Sequence, residues 1–328
     1  MGYQMKNWDK KRVVVTGAAG FLGSHLCESL VSKGTEIIAL DNLMIGSIAN
    51  LEPIRNKIQI ISCDITKDDL QAFIKDSHVV FHLAALASPR MCKNNFDLAF
   101  DINIRGTKNV LSACTGQELV IFMSAAPVYG DPLYVPIDEK HPLNGKDPYS
   151  ITKIIGEYLC HSYYQNYGVP IVIVRNFNVF GPRQVPEYLI PTLITQALSK
   201  NKIEIWSSQP HRDFMFVDNT IDAWLKISEN PEFIGDIVNV GSGIEIQIGD
   251  LAKRVSEMMA GTPVIDLNKE VIGSMRLVCN NEKLKQKTGW TPKISLEEGL
   301  RKTIEWYKAH SFEEMHSGSH LEELGNGI

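Results

Sequence analysis

The sequence predicts an α/β protein, a doubly wound parallel sheet carrying a smaller, discontinuous C-terminal lobe. Three observations predict it. Near-continuous apolar strand-like runs alternate with helical patterns through the first half of the 328 residues, as expected of a parallel sheet covered on both faces. Three glycines, Gly17, Gly20 and Gly23, close the first of these runs in G-x-x-G-x-x-G spacing. A strand-like run near 236–241 follows a looser stretch; returning to the main sheet, it would split the second lobe in sequence.

The elements follow in order. The β-branched run 12–16 reads as a strand, and Phe21, Leu22, Leu26 and Leu30 recur at helical spacing over 21–33. In that strand–turn–helix order the first glycine permits a sharp turn. The second lets the backbone approach a pyrophosphate, and the third lets the helix pack on the strand. The helix N-terminus then favours phosphate charge. Glycine turns also merely join strands to helices, so the next strand, 36–40, decides. It ends in Asp41, about 20 residues on, where an acid bonds a ribose diol. Together these mark a Rossmann-type dinucleotide site, and the carboxylate selects NAD over NADP because it repels a 2′-phosphate. Further strands are expected at 58–62, 78–82, 119–124 and 170–175, and helices at 67–75, 95–115 and 149–167. Residues 1–176 therefore read as an NAD-binding domain, and 177–328 as mostly a substrate-binding lobe with a helix near 190–200. The polar tail 311–328 is expected to fray.

Composition narrows the class. Hydrophobic residues are 44% and charged residues 22%, with a net charge of −5. That is ordinary for a soluble globular protein, and it gives no general attraction to nucleic acid or anionic membrane. No apolar segment suggests a membrane span, and residues 1–11 lack a signal core. Six scattered cysteines without CxxC or Cys/His spacing suggest reduced thiols in a cytoplasmic protein and no metal site.

Tyr149 and Lys153 stand at i and i+4, on one face of a helix. Alone, such a pair is more often surface packing. Behind a dinucleotide site it suggests a base, because a nearby ammonium, helped by a positive nicotinamide, lowers a phenol's pKa from about 10. The glycine triplet, Asp41 and Tyr149/Lys153 together resemble the extended short-chain dehydrogenase/reductase superfamily, and within it the NAD-dependent nucleotide-sugar epimerase/dehydratase branch of UDP-glucose 4-epimerase type. The resemblance spans nearly the whole chain. It implies NAD contacts from Gly17, Gly20, Phe21, Leu22 and Gly23, from the Asp41-Asn42 turn with Gly46 behind it, and from Asp64 and Ile65 near the adenine. It also implies contacts from the strand end Leu83, Ala84 and Ala85, and from Asn103, which matches a supporting asparagine on a neighbouring helix. Asn178, Arg212 and, less closely, Arg276 match substrate positions; a guanidinium suits a diphosphate because its donors form a rigid fork. Such relatives commonly form homodimers through two helices per subunit, matching 95–114 and 149–167 here.

Two departures stand out. Residues 205–209, Ile-Trp-Ser-Ser-Gln, replace a glycine–acid–glycine turn. The family's catalytic Ser or Thr lies three residues before the Val of a Val-Tyr-Gly turn, and that count lands on Ala125, one past Ser124. Either Pro127 brings Ser124 into register, as a proline inside the turn favours, or the hydroxyl is absent. The resemblance implies a 4-epimerase acting on a UDP-hexose through a transient 4-keto sugar, with Tyr149 as base, Lys153 supporting it and Ser124 as hydroxyl beside the substrate. A 4,6-dehydratase should carry an Asp-Glu pair before Val128, and a UDP-glucuronate decarboxylase a Glu; Ala126 and Pro127 stand there instead. A catalytically impaired protein that binds NAD or nucleotide sugar is the remaining alternative.

Overall fold

The computed structural model describes residues 7–310, Thr115, Gln117 and Ile272 excepted; the tail expected to fray lies outside these. The chain runs β1 (Arg12–Thr16), α1 (Phe21–Val31), β2 (Glu36–Asp41), β3 (Gln59–Ser62), α2 (Gln71–Ile74), β4 (Val79–His82), α3 (Pro89–Asn94), α4 (Phe96–Phe100) and α5 (Thr107–Ala113). There follow β5 (Leu119–Ala125), α6 (Pro148–Tyr167), β6 (Ile171–Asn176), β7 (Asn178–Phe180), α7 (Leu189–Lys200), β8 (Ile203–Ile205), β9 (His211–Phe216) and α8 (Val217–Glu229). Last come β10 (Ile237–Val240), β11 (Glu245–Gln247), α9 (Ile248–Met258), β12 (Val264–Asp266), β13 (Arg276–Leu277), α10 (Glu282–Thr288) and α11 (Leu296–Ala309).

Seven strands pair in the order β3-β2-β1-β4-β5-β6-β10, every pair parallel. Period-two alternation sorts the apolar residues onto the two faces. Val13, Val15, Phe81, Ile121 and Met123 face a core shared with α1 and α8. Val14, Val80, Val120 and Phe122 face Val110 and Leu111 of α5 and Cys160 of α6. Both faces are therefore dry, which is why these strands read as unbroken apolar runs. The strand order turns back between β1 and β4, and the crevice at the carboxyl ends of these strands is where open α/β sheets bind ligands.

The run expected near 236–241 is β10, hydrogen-bonded to the edge of the main sheet beside β6. Around the crevice stand smaller sheets: β9 pairs with β7, β11 and β13, and β8 with β12. The β9 sheet is tied in by Asp213, whose carboxylate accepts from Ser242 N and Oγ, Gly243 N and Cys279 N. Among the described residues no helix is long and apolar enough to cross a membrane.

Two expected helices differ. That at 67–75 shrinks to α2, because aspartates upstream spend their side chains on backbone: Asp64 N donates to Asp68 and Gln71 N to Asp69, local bonds that compete with a helix. That at 95–115 is three pieces, α4, a π-helical turn at Asp101–Gly106, and α5; such turns often mark functional positions.

Gly23 packs α1 on the turn so closely that a Cβ there would stand 2.2 Å from Gly17 O. Gly23→Ala should therefore destabilise the fold by about 1–3 kcal/mol, read as a lower urea midpoint; an unchanged midpoint would mean that this contact relaxes freely.

Candidate active site

One cavity of about 1180 Å³ runs from the glycine turn, across the carboxyl ends of the strands, to Arg212. Its floor is the turn. Gly17 has a φ of +71° and donates to Leu40 O, and a Cβ on it would meet Ala84 N at 2.8 Å. A Cβ on Gly20 would meet nothing closer than 3.2 Å, so this glycine, with Phe21 and Leu22 at the start of α1, forms the open part of the wall. Asp41 ends β2 with Oδ2 accepting from Ala19 N at 2.9 Å and Oδ1 from Leu43 N at 2.8 Å. Burial pushes its carboxyl up while these two donors pull it down. Asp41 lines the cavity and each of its oxygens keeps a lone pair, as binding a ribose diol requires. Asn42, Gly46, Asp64 and Ile65 line the same end. This cradle, closed to side chains and open to a backbone-hugging ligand, fits a dinucleotide.

Leu83, Ala84 and Ala85 form the wall beyond β4. A buried chain holds them: Ala84 N donates to Thr16 Oγ1, which lies 2.8 Å from His82 Nδ1, and His82 Nε2 lies 3.0 Å from Thr107 Oγ1. Thr107 Oγ1 in turn donates to Asn103 O at 2.6 Å. Burial, with Lys153 nearby, holds His82 down to about 3, so the ring is neutral. Asn103 itself does not line the cavity, a correction to its expected contact with a dinucleotide. From the π-helical turn it bonds Leu86 N and O and Thr152 Oγ1, clasping the wall to α6.

Tyr149 and Lys153 reach the cavity from the first turns of α6. Pro148 opens that helix and Asp147 caps it, accepting from Ser150 N. Lys153 Nζ donates to Met123 O at 2.8 Å and lies 6.0 Å from the Tyr149 ring. Burial lowers its pKa to about 8. The expected lowering of Tyr149 is not present in the protein alone. Burial raises the phenol, and Tyr188, Cys92 and Asp147 add to that, because the ammonium is turned to a carbonyl and leaves the ring in an apolar cluster with Leu86, Cys92 and Ile102.

Ser124 and Ala125 both line the cavity, but their side chains differ in direction. Pro127 sits in the first turn of a 3₁₀ helix, Ala126–Tyr129, where its missing N–H costs nothing. It therefore leaves β5 in unbroken register, Ser124 beside Arg175 and Ala125 beside Asn176. Ala125 packs against the Tyr149 cluster. Ser124 turns to the α6 face, and its hydroxyl donates to Glu157 Oε1 at 2.5 Å. Its one proton is thereby committed, and toward the cavity the hydroxyl can only accept.

At the far end Asn178 Nδ2 donates to Asp213 O. Arg212 donates to the carbonyls of His211 and Met275; no carboxylate among the described residues neutralises it, so its charge is available to an anion. Arg276 is corrected too. It lies off the cavity, exposed and forked onto Glu245. Sequence reasoning missed Tyr188, Arg183 and Trp206 on the wall. Tyr188 and Arg183 belong to a Pro/Gly-rich stretch without periodicity. Trp206, half exposed with Lys269 4.3 Å over its ring, was flagged only as a departure.

A model of the NAD dependent epimerase/dehydratase family matches residues 13–241. The UDP-glucose 4-epimerase of Mycolicibacterium smegmatis is 30% identical over 92% of this chain and 99% of its own. The dTDP-D-glucose 4,6-dehydratase of Mus musculus is 33% identical over 91% and 89%. Among solved structures, UDP-glucuronic acid 4-epimerase from Bacillus cereus, in complex with UDP-glucuronic acid and NAD, superposes with a TM-score of 0.85 at 30% identity, covering 91% of this chain and 99% of that one.

Lys153 gives a pH signature. Folded, it loses its proton near pH 8; unfolded, it keeps it to about 10.5. Between these values the unfolded chain binds more protons, so stability rises with pH. In denaturant titrations without cofactor, wild type should gain on Lys153→Met from pH 8 upward, approaching roughly 3 kcal/mol by pH 10.5. A constant difference across that range would contradict a buried, titrating ammonium.

Proposed function

The chain belongs to the NAD-dependent epimerase/dehydratase family, and from that premise we propose that it is a nucleotide-sugar 4-epimerase, inverting C4 of a UDP-hexose through a transient 4-keto sugar. Its cofactor is NAD, which when bound supplies the hydride acceptor and donor and a positive ring that favours the Tyr149 phenolate. Tyr149 takes the proton from the sugar 4-hydroxyl and returns it once the 4-keto sugar has turned its other face. Lys153 holds the nicotinamide ribose and keeps positive charge beside Tyr149. Arg212 and Asn178 hold the diphosphate, leaving the sugar free to rotate about its anchored end.

One observation carries the choice of reaction. The segment before Val128 that lines the cavity is Ala125-Ala126-Pro127, its Ala125 packed with Tyr149, and it contains no acid to assist loss of water or carbon dioxide. The family also contains dehydratases, and a 4,6-dehydratase or a UDP-glucuronate decarboxylase would need an ionisable group in that segment. Ala125 favours one other reading, a protein that binds NAD and nucleotide sugar without turnover. Incubating pure protein with UDP-glucose and UDP-N-acetylglucosamine and resolving the C4 epimers separates these. Conversion should appear, and Tyr149→Phe should lower it by at least about 10² while retaining NAD. A dehydrated or decarboxylated product, or full activity in that variant, would overturn the proposal.

We further propose a homodimer. Phe96 and Phe100 on α4, and Ile151 and Tyr158 on the adjoining α6, are 47%, 43%, 37% and 68% exposed, at spacings that put each pair on one helix face. Light scattering at micromolar concentration should give twice the chain mass, and Phe100→Glu should halve it; a wild-type monomer would end the idea.

A further inference from the structure

Glu157, which no sequence argument singled out, is 5% exposed and sits one helical turn beyond Lys153 on α6. Arg175, 3% exposed on β6, grips it in a fork: Nε to Oε1 at 2.9 Å and Nη2 to Oε2 at 2.6 Å. The Arg175 guanidinium also donates to the Tyr129 hydroxyl, which donates onward to Asn239 Oδ1. A buried ion pair is costly unless its donors and acceptors are satisfied, and here each guanidinium nitrogen and each carboxylate oxygen has a partner. Placed under the reacting end of the cavity, it has a more specific consequence. Glu157 Oε1 accepts the Ser124 hydroxyl, Ser124 follows Met123 in β5, and Met123 O accepts Lys153 Nζ. Lys153, Met123, Ser124 and Glu157 thus close a ring between helix and strand, with two hydrogen bonds and one turn of α6 as its links.

We infer that Glu157 is a positioning residue for Lys153, acting through Ser124 and the Met123 carbonyl, and that this ring is the reason for a serine at position 124. Arg175 holds the Glu157 carboxylate aimed at Ser124. With Glu157 fixed, Ser124 cannot turn, the tip of β5 cannot slide along α6, and the carbonyl that receives the ammonium keeps its height relative to Tyr149. The ring rests on the role given to Lys153 above, so its test needs a readout that does not require turnover.

That readout is NAD affinity, measured by calorimetry on the full chain stripped of cofactor, with kcat and KM recorded where turnover is present. Ser124→Ala leaves the ion pair intact and opens the ring; it should weaken NAD about fivefold and lower kcat about tenfold with little change in KM. Ser124→Thr, which keeps the hydroxyl on a strand, should recover most of both losses. Glu157→Leu, which removes the acceptor, should reproduce the Ser124→Ala losses, and the double variant should be no worse than either alone, since one ring can be opened only once. Losses that multiply in the double variant would mean that the two residues act independently, and unchanged NAD affinity in Ser124→Ala would mean that the ring does not position Lys153; either result overturns the inference. If Glu157→Leu fails to fold, the Ser124→Ala and Ser124→Thr pair decides alone. If wild type shows no epimerisation, the reaction assigned above fails while the affinity pattern still judges the ring.

Discussion

The close passage of backbone against backbone at Gly17 is the constraint on which the rest of the site depends. The chain must leave β1, turn and enter α1 while the segment after β4 crosses in contact with it. No side chain fits between, and Leu83 N on Thr16 O and Ala84 N on Thr16 Oγ1 hold the two together. That contact fixes where the crevice opens, because it sets the pyrophosphate cradle and the Leu83–Ala85 wall at one distance. Everything further along the cavity is built outward from it. Asn103 clamps the wall to α6, α6 carries Tyr149 and Lys153, and β5 supplies the carbonyl that receives the ammonium.

The first half of the fold was legible in the sequence because each strand buried on both faces must be apolar at every position, and each helix between strands must show one apolar stripe. The second half was not. Strands such as β8, β11 and β12 are three residues long, too short for a period to register, and their pairings link residues far apart in sequence. Asp213 shows the difficulty well. Beside Arg212 it reads as one more charge in a polar stretch, yet it is wholly buried and binds four backbone and hydroxyl donors. Its value lies in partners from residues 242, 243 and 279, which no local pattern reveals.

The candidate site divides in the same way. Glycines and acids that act through backbone geometry announced themselves by spacing, and Tyr149 with Lys153 by helical register. Ser124 and Ala125 could not be separated by counting, because the outcome turned on whether a proline would disturb a strand edge. It does not, since a 3₁₀ turn absorbs it one residue later. Glu157 and Arg175 were invisible for another reason: a charge in a helix and a charge in a strand look like solvated faces until the fold brings them together. The pairing of Tyr149 with Lys153 carried an electrostatic expectation that the protein alone does not meet, because burial acts on the phenol at full strength while the ammonium faces the Met123 carbonyl.

The hydrogen-bond chain behind the β4 wall has a direction. Thr107 gives its only hydroxyl proton to the Asn103 carbonyl, so toward His82 it can only accept, and the neutral ring must carry its proton on Nε2. Nδ1 is then an acceptor, Thr16 must donate to it, and Thr16 is left to receive Ala84 N–H. Every proton from Ala84 to Asn103 therefore points the same way, and no link can reverse without breaking the next. Aligned bonds of this kind polarise one another. Behind the Leu83–Ala85 wall the protein thus keeps a row of protons that cannot move.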